Sequence, residues 1–347
     1  MRLVADFGDL PVFQEATTYP CILQLSKTSP RENFAAADIK TLDFKTSLDD
    51  YVEAHQSTFS YDDLHEDGWN LGDQKVLLLL EKLKNAGTPL GEFVNHQIYY
   101  GIKTGLNEAF VIDAETRARL IAEDPQSEKI IKPFLAGRDI KRYQQPKSDK
   151  FLILFEKGHT DKSRGKTDAK DWLKSTFPAI HQHLIQYKEA AAKRYDKGDY
   201  WWELRACDYY AEFEKTKISY PDISKAVAFT LDNRSSYQGD TSFFIASEEK
   251  WLLAILNSSL VNWFYPNVSA QIRGSFLRFK TIYVQQIPIC HLTAEQKVLL
   301  EELAQKVLSA KTATPQQDTT EWEAEIDALV YELYGLTAEE IEVVESA

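Results

Sequence analysis

The sequence predicts an α+β protein: a mixed sheet with hairpins and flanking helices, followed by a C-terminal helical segment. Short apolar runs of strand length recur at 19–25, 93–102, 150–156 and 217–220, separated by Gly, Pro, Asn and Asp. Stretches of helical period lie between them at irregular intervals, over 114–123, 171–195 and 248–262. The C-terminal stretch reads as helix alone, over 293–311 and 319–334.

Taken in order, residues 1–28 read as loop and strand, with a clear apolar run at 19–25 containing Tyr19, Ile22, Leu23 and Leu25. Two strands do not fold alone, so this piece needs a partner surface. Residues 29–90 form an acidic connector, weakly periodic until a short amphipathic helix at 74–85, which Gly87 and Pro89 stop. Residues 91–290 form the main domain. It opens with a strand over 93–102, a tight loop over 103–107 and a returning strand over 108–113. Gly101 and Gly105 flank that hairpin turn, where positive φ suits glycine. A helix over 114–123 breaks before Pro125, and a buried strand follows at 150–156. The helix over 171–195 is interrupted at Pro178. Strands follow at 217–220, 226–231 and 241–246, and Ser247 caps a helix over 248–262. Residues 277–289 are a closing strand and loop. Residues 291–347 are the helical segment, with a low-complexity linker at 312–320.

The 347 residues are 44% hydrophobic and 27% charged, proportions of a globular protein with a sizeable core. No apolar run reaches the ~20 residues that span a bilayer, so no membrane association is expected. Cys21, Cys207 and Cys290 are few, far apart and without metal-ligand spacing. They read as buried free thiols in a reducing, cytoplasmic setting. The net charge of −13 is unevenly spread. Residues 1–87 hold 8 Lys+Arg against 15 Asp+Glu, and residues 291–347 hold 3 against 13. Residues 88–290 hold 29 against 25, and within 138–170 ten basic residues face five acidic ones. Affinity for a polyanion depends on local placement of Lys and Arg rather than on the total. The competing reading is an ordinary solvated face.

Several residues suit nucleic-acid contact. Lys103, Thr104 and Asn107 sit in the first glycine-flanked loop, where backbone N–H groups and Lys103 suit a phosphate. Arg138, Lys141 and Arg142 follow Gly137 in the basic segment. Trp202 and Arg205 belong to a dense aromatic–basic run, 200–205. It is either a wedge and phosphate clamp or a tryptophan-rich core corner with Arg205 ion-paired. Arg273 and Arg278 surround Gly274 in a loop that suits DNA or a structural ion pair. Asp222 with Glu248, Glu249 and Lys250 has the letters of a nuclease site, but Glu248 to Lys250 open a helix, away from a shared metal edge. His181 and His183, two apart on a helix, do not share a face for a metal.

The wording of several stretches carries a resemblance. GIKTGLNEAF (101–110), IIKPFLAGRDI (130–140), YWWELR (200–205), KISYPDI (217–223), LNS (256–258) and YELYGLT (331–337) occur in this order and at these spacings across roughly 94–345. The chain resembles the TaqI-like specificity domain, the target-recognition region of adenine-N6 DNA methyltransferases and type IIG restriction–modification enzymes. The resemblance implies a module that recognises a short site in double-stranded DNA and directs methylation there. It also implies that residues 1–28 are the last hairpin of a methyltransferase fold whose catalytic part lies outside this sequence. The Asp/Asn-Pro-Pro-aromatic motif and the glycine-rich cofactor turn of such catalytic parts are absent: the chain has no Pro-Pro pair. No catalytic residue, metal or cofactor is therefore expected in this chain. S-adenosylmethionine belongs to the catalytic domain or subunit, the expected partner beside DNA. That partner would take a flipped adenine while the recognition module grips the duplex. The alternative is an interaction module that binds DNA only with a partner methyltransferase chain, as the acidic ends suggest.

Overall fold

The computed structural model describes residues 1–8, 10–13, 18–29, 32–64, 74–269, 271–272 and 276–346. A four-stranded sheet opens the chain, in the order Cys21–Gln24, Leu3–Asp6, Asn33–Asp38, Ser57–Ser60. The expected hairpin is there: Leu3 faces Gln24 and Asp6 faces Cys21, antiparallel. Leu3–Asp6 also pairs in parallel with Asn33–Asp38, so the weak periodicity after residue 28 hides two more strands of the same sheet. Between them lies the helix Leu48–His55, closed by a Ser47–Asp50 capping box. Successive residues alternate faces: Ala5, Phe7, Ala37 and Ile39 meet Val52 on one side, and Val4, Phe34, Ala36 and Phe59 cluster on the other. The outer strand stays bare, with Ile22, Leu23 and Leu25 exposed along with Tyr19.

The helix Gln74–Ala86 leads into the main body. Its Leu79, Leu80 and Leu83 enter the large core, while Leu77 packs against the N-terminal sheet. Two further four-stranded sheets follow. One has the order Thr230–Asp232, Lys217–Pro221, Ser242–Ile245, Ile98–Tyr100. The other runs Tyr237–Gln238, Ile131–Leu135, Lys150–Ile153, Val111–Asp113. These sheets overturn the expected hairpin around residues 101–107. Tyr100 faces Phe243 in the first sheet, while Val111 faces Leu152 in the second. The segment expected to return as a strand begins instead with a helical turn, Asn107–Phe110, because that turn puts both Ala109 and Phe110 inside the core.

The helix Ala114–Glu123 forms where its period predicts. The Asp113 carboxylate accepts the Thr116 N–H at 2.9 Å at its start. The expected helix over 171–195 is three short ones: Ala169–Thr176, Pro178–Ile185 and Lys188–Lys193. That over 248–262 is two: Lys250–Leu256, which starts at Glu249 without the expected Ser247 cap, and Ser259–Phe264, capped by Ser258. Cys290 is buried as expected, but Cys21 lies exposed on the outer strand. The C-terminal helices Ala294–Ala313, Thr320–Leu333 and Ala338–Glu345 complete the large core with Leu300, Val307, Ile326, Val330 and Val344. Polar ties reinforce this closure: Asp327 accepts from the Ser259 N–H and hydroxyl at 2.7 and 2.6 Å, and Lys82 pairs with Glu340.

Candidate nucleic-acid interface

The two phrases expected to face DNA meet on one turn, Gly239–Asp240–Thr241. Ile102 bridges Gly239 in parallel, and its N–H donates to the Gln238 carbonyl at 2.6 Å. Gly137 N–H donates to Thr241 Oγ1 at 2.9 Å. A side chain at Gly101 would run into the Gly239 carbonyl, and one at Gly137 into that of Thr241. Both glycines are therefore required by close approach of backbones. Gly105 is the one that uses positive φ, at +67°.

The loop after Gly101 is held from inside. Thr104 is buried; its hydroxyl donates to Asn107 Oδ1 at 2.5 Å, and its carbonyl accepts from Arg194. The Arg194 guanidinium lies 4.2 Å from the Phe110 ring centre. It also donates to the carbonyls of Trp201, Glu203 and Ala191 at 2.8, 3.0 and 3.2 Å. Burial lowers its pKa to about 10, against the opposing charge of Asp196. This fixed cation leaves Lys103 and Asn107 on the surface.

The aromatic run resolves into the core corner. Trp202 is 2% exposed, stacks on Tyr200 at 4.8 Å and donates through Nε1 to Thr160 Oγ1 at 2.9 Å. The buried Glu203 carboxylate accepts backbone N–H groups of Gly158, Thr160 and Asp199 at 3.0–3.2 Å. Arg205 stays outside, paired with Asp196 at 3.1 Å. Arg142 also turns inward: it pairs with Glu323 and donates to the Asn257 carbonyl at 2.7 Å, anchoring a C-terminal helix. Thr104 and Trp202 are thus buried and hydrogen-bonded within the chain, and the half-exposed Arg142 is tied to Glu323 and Asn257. Arg138, with its side chain 79% exposed, and Lys141 face solvent. Arg273 lies outside the described residues.

Two features emerge. The first is a groove of about 680 Å³ lined by Asn107, Arg138, Asp139, Lys150, His183 and Asp240 among others. It brings together Asn107 of the first glycine-flanked loop and Arg138 of the basic segment. The second is a cationic cluster around Tyr100. The Lys103 and Lys280 ammonium groups lie 5.7 and 5.8 Å from its ring centre, and Lys280 lies 5.3 Å from that of Phe243. Lys280 and Arg278 share one carboxylate oxygen of Asp222, at 2.9 and 3.4 Å. Burial raises the Tyr100 pKa, as do Asp240 and Asp222, while Arg205 and Arg278 pull it down, which puts both arginines in its field. The Tyr100 hydroxyl donates to the Asp240 carbonyl at 2.7 Å, so cluster and groove share the turn.

The nuclease letters do not assemble. Asp222 is occupied by two cations, and Glu249 accepts from Trp251 Nε1 at 2.6 Å. No cluster of His, Cys, Asp and Glu suited to a metal occurs among the described residues. His183 meets the Ala109 carbonyl at 3.1 Å, and burial lowers the pKa of both helix histidines. Sequence reasoning missed Tyr100, Asp240 and Lys280. The available signal was the Gly-Asp-Thr turn between two apolar strands, and the lysine two residues beyond Arg278. No helix among the described residues is long and apolar enough to cross a membrane.

Comparison with known proteins gives the chain's likeness in sequence and fold. The chain is 20% identical over its whole length to the type II methyltransferase M.BstVI of Geobacillus stearothermophilus, covering 61% of that protein. Over 78% of its length it is 23% identical to the type II methyltransferase M.PaeR7I of Pseudomonas aeruginosa, covering 44% of it. The chain therefore spans about half the length of these relatives. In fold it is similar to the type IIL restriction–modification enzyme MmeI, solved in complex with DNA. The TM-score is 0.59 at 13% identity, over 99% of this chain and 45% of that one. Residues 132–289 match the TaqI-like C-terminal specificity domain, and this region of the chain belongs to that family.

Proposed function

We propose that this chain is the DNA-recognition module of a restriction–modification methyltransferase, reading a short site in double-stranded DNA. The observation that carries the reading is the joining of the Asn107–Arg138 groove to the Tyr100 cation cluster through one turn. The turn itself, and all of the cluster but Tyr100 and Lys103, lie within the specificity-domain region. Phosphate contacts fix register and base-edge contacts carry sequence, so a duplex reader needs both kinds of surface side by side. Methylation, directed at adenine N6 and drawing on S-adenosylmethionine, is assigned to a methyltransferase domain or subunit that works with this chain. This chain's share is to bind and orient the duplex.

The test is selection of bound duplexes from a randomised pool by the purified chain, in steps of rising salt. Enrichment of one short motif is the expected result. Binding with no motif enriched would reject sequence recognition by this chain alone. A motif that emerges only when a methyltransferase polypeptide is added would favour the cooperative alternative. The exposed Ile22, Leu23 and Leu25 strand is the observation on that side.

A further inference from the structure

We infer that Lys280, Arg278 and Lys103, arranged around Tyr100, form a sequence-blind seat for the phosphodiester backbone of one DNA strand. The inference rests on the DNA-binding part of the proposed function but not on sequence recognition. Four observations lead to it.

The first is a charge imbalance. Two cations, Lys280 and Arg278, share a single oxygen of a single carboxylate, Asp222. One positive charge is left over, and a purely structural ion pair would need only one of them. The second is the footing of that carboxylate. Asp222 is 9% exposed, its N–H donates to the Thr241 carbonyl at 2.9 Å, and its own carbonyl accepts the Phe279 N–H at 2.7 Å. It therefore holds the two cations in place before any ligand arrives. Long Lys and Arg side chains otherwise lose rotamer freedom on binding, and prior ordering reduces that loss.

The third concerns Lys103. Its recorded partner is the Tyr100 ring, a weak ligand that an anion readily supplements. The backbone beside it is fixed by the Thr104 and Arg194 contacts, which anchor the loop that carries this exposed side chain. The fourth is chemical. Point-like ammonium groups beside a guanidinium suit phosphate oxygens, and the hold of Asp222 on Arg278 and Lys280 occupies donors that reading a guanine edge would need. The groove beyond Asp240 is lined instead by Asn107, whose Oδ1 the Thr104 hydroxyl already holds in place.

The experiment measures binding of a random-sequence duplex by anisotropy across a salt series, using the full chain and its Lys280→Ala, Lys280→Arg and Lys103→Ala variants. Each alanine variant should lower the log–log salt slope by about one and weaken binding roughly eightfold at ~0.1 M salt. Lys280→Arg should restore most of the slope, and melting temperatures should not move. An unchanged slope in both alanine variants overturns the seat. So does equal loss in Lys280→Arg, which marks a packing role. If the selection experiment finds no motif while these slopes fall, the seat stands and sequence recognition fails. If the unmodified chain binds no duplex at any salt, both fall.

Discussion

The N-terminal sheet and the main body are built on different terms. The sheet has strands of four to six residues, half of whose buried positions are alanine, in two small clusters around Phe7 and Phe34. The body packs Phe, Tyr, Trp and Leu at near-zero exposure through two large clusters, one of them sealed by the C-terminal helices. Buried apolar area sets how much each gains on folding, at about 25 cal/mol per Å². The sheet therefore gains little from its own interior and depends on what covers its faces and edge. The body needs no such help. The difference teaches that the proposed recognition surface sits on the part of the molecule with the larger buried core.

The largest effect belongs to the body. Phe244 is fully buried between Phe213 at 4.8 Å and Tyr99 at 5.4 Å, and Phe244→Ala should cost about 3–5 kcal/mol in urea unfolding. A loss under about 1 kcal/mol would mean the core is looser than described. Phe34→Ala is the matching cut in the sheet. It should melt the sheet alone, with hydrogen exchange rising over residues 3–60 and protection kept over the body. Loss of protection everywhere would show the two regions to be one cooperative unit. A chain beginning at Gln74 should extend this result. Leu77 is the body residue packed on the Phe34 cluster, so removal of the sheet should leave body melting shifted by only a few degrees.

Smaller still is the outer strand. Ile22→Asp with Leu25→Asp should change stability by no more than ~0.5 kcal/mol while reducing self-association in sedimentation. A marked loss of stability would show these side chains to be covered in solution.

The pH response sharpens the same contrast. Burial holds the His183 pKa below 6.5, so folding favours its neutral form. Its contribution is fully present above 6.5 and is lost as pH falls through the lower folded value. His183→Gln should flatten the acid limb of body stability below pH 6.5, and an unaltered limb would count against it.

How much of this could be read from residues alone differs from place to place. The helix Ala114–Glu123 was legible because its period, its Asp113 cap and Pro125 all agree. The strands on either side of residues 101–107 were legible as apolar runs, but their partners were not. Alternation says which face is buried and nothing about which strand lies alongside. Gly101 drew attention for a turn, yet its constraint comes from the Gly239 carbonyl, 138 positions away in sequence. The basic phrase after Gly137 gave its charges correctly but not their directions. Arg138 stands in solvent while Arg142 is tied down, because Glu323 waits on a helix far along the chain. Lys280 escaped notice for the same reason: its meaning depends on Asp222 and Tyr100, neither of which is a neighbour in sequence.

The carbonyl cage around Arg194 bears on any attempt to re-engineer this protein. That one side chain is bonded to backbone at Thr104, Ala191, Trp201 and Glu203, so segments far apart in the primary structure share a single fastening. Transplanting the 101–107 loop from a homologue by itself would strand the guanidinium among mismatched acceptors. A graft that carries 191–203 along with the loop keeps the fastening intact. Swappable cassettes in this chain are accordingly spatial units, cut around Arg194, and not continuous lengths of polypeptide.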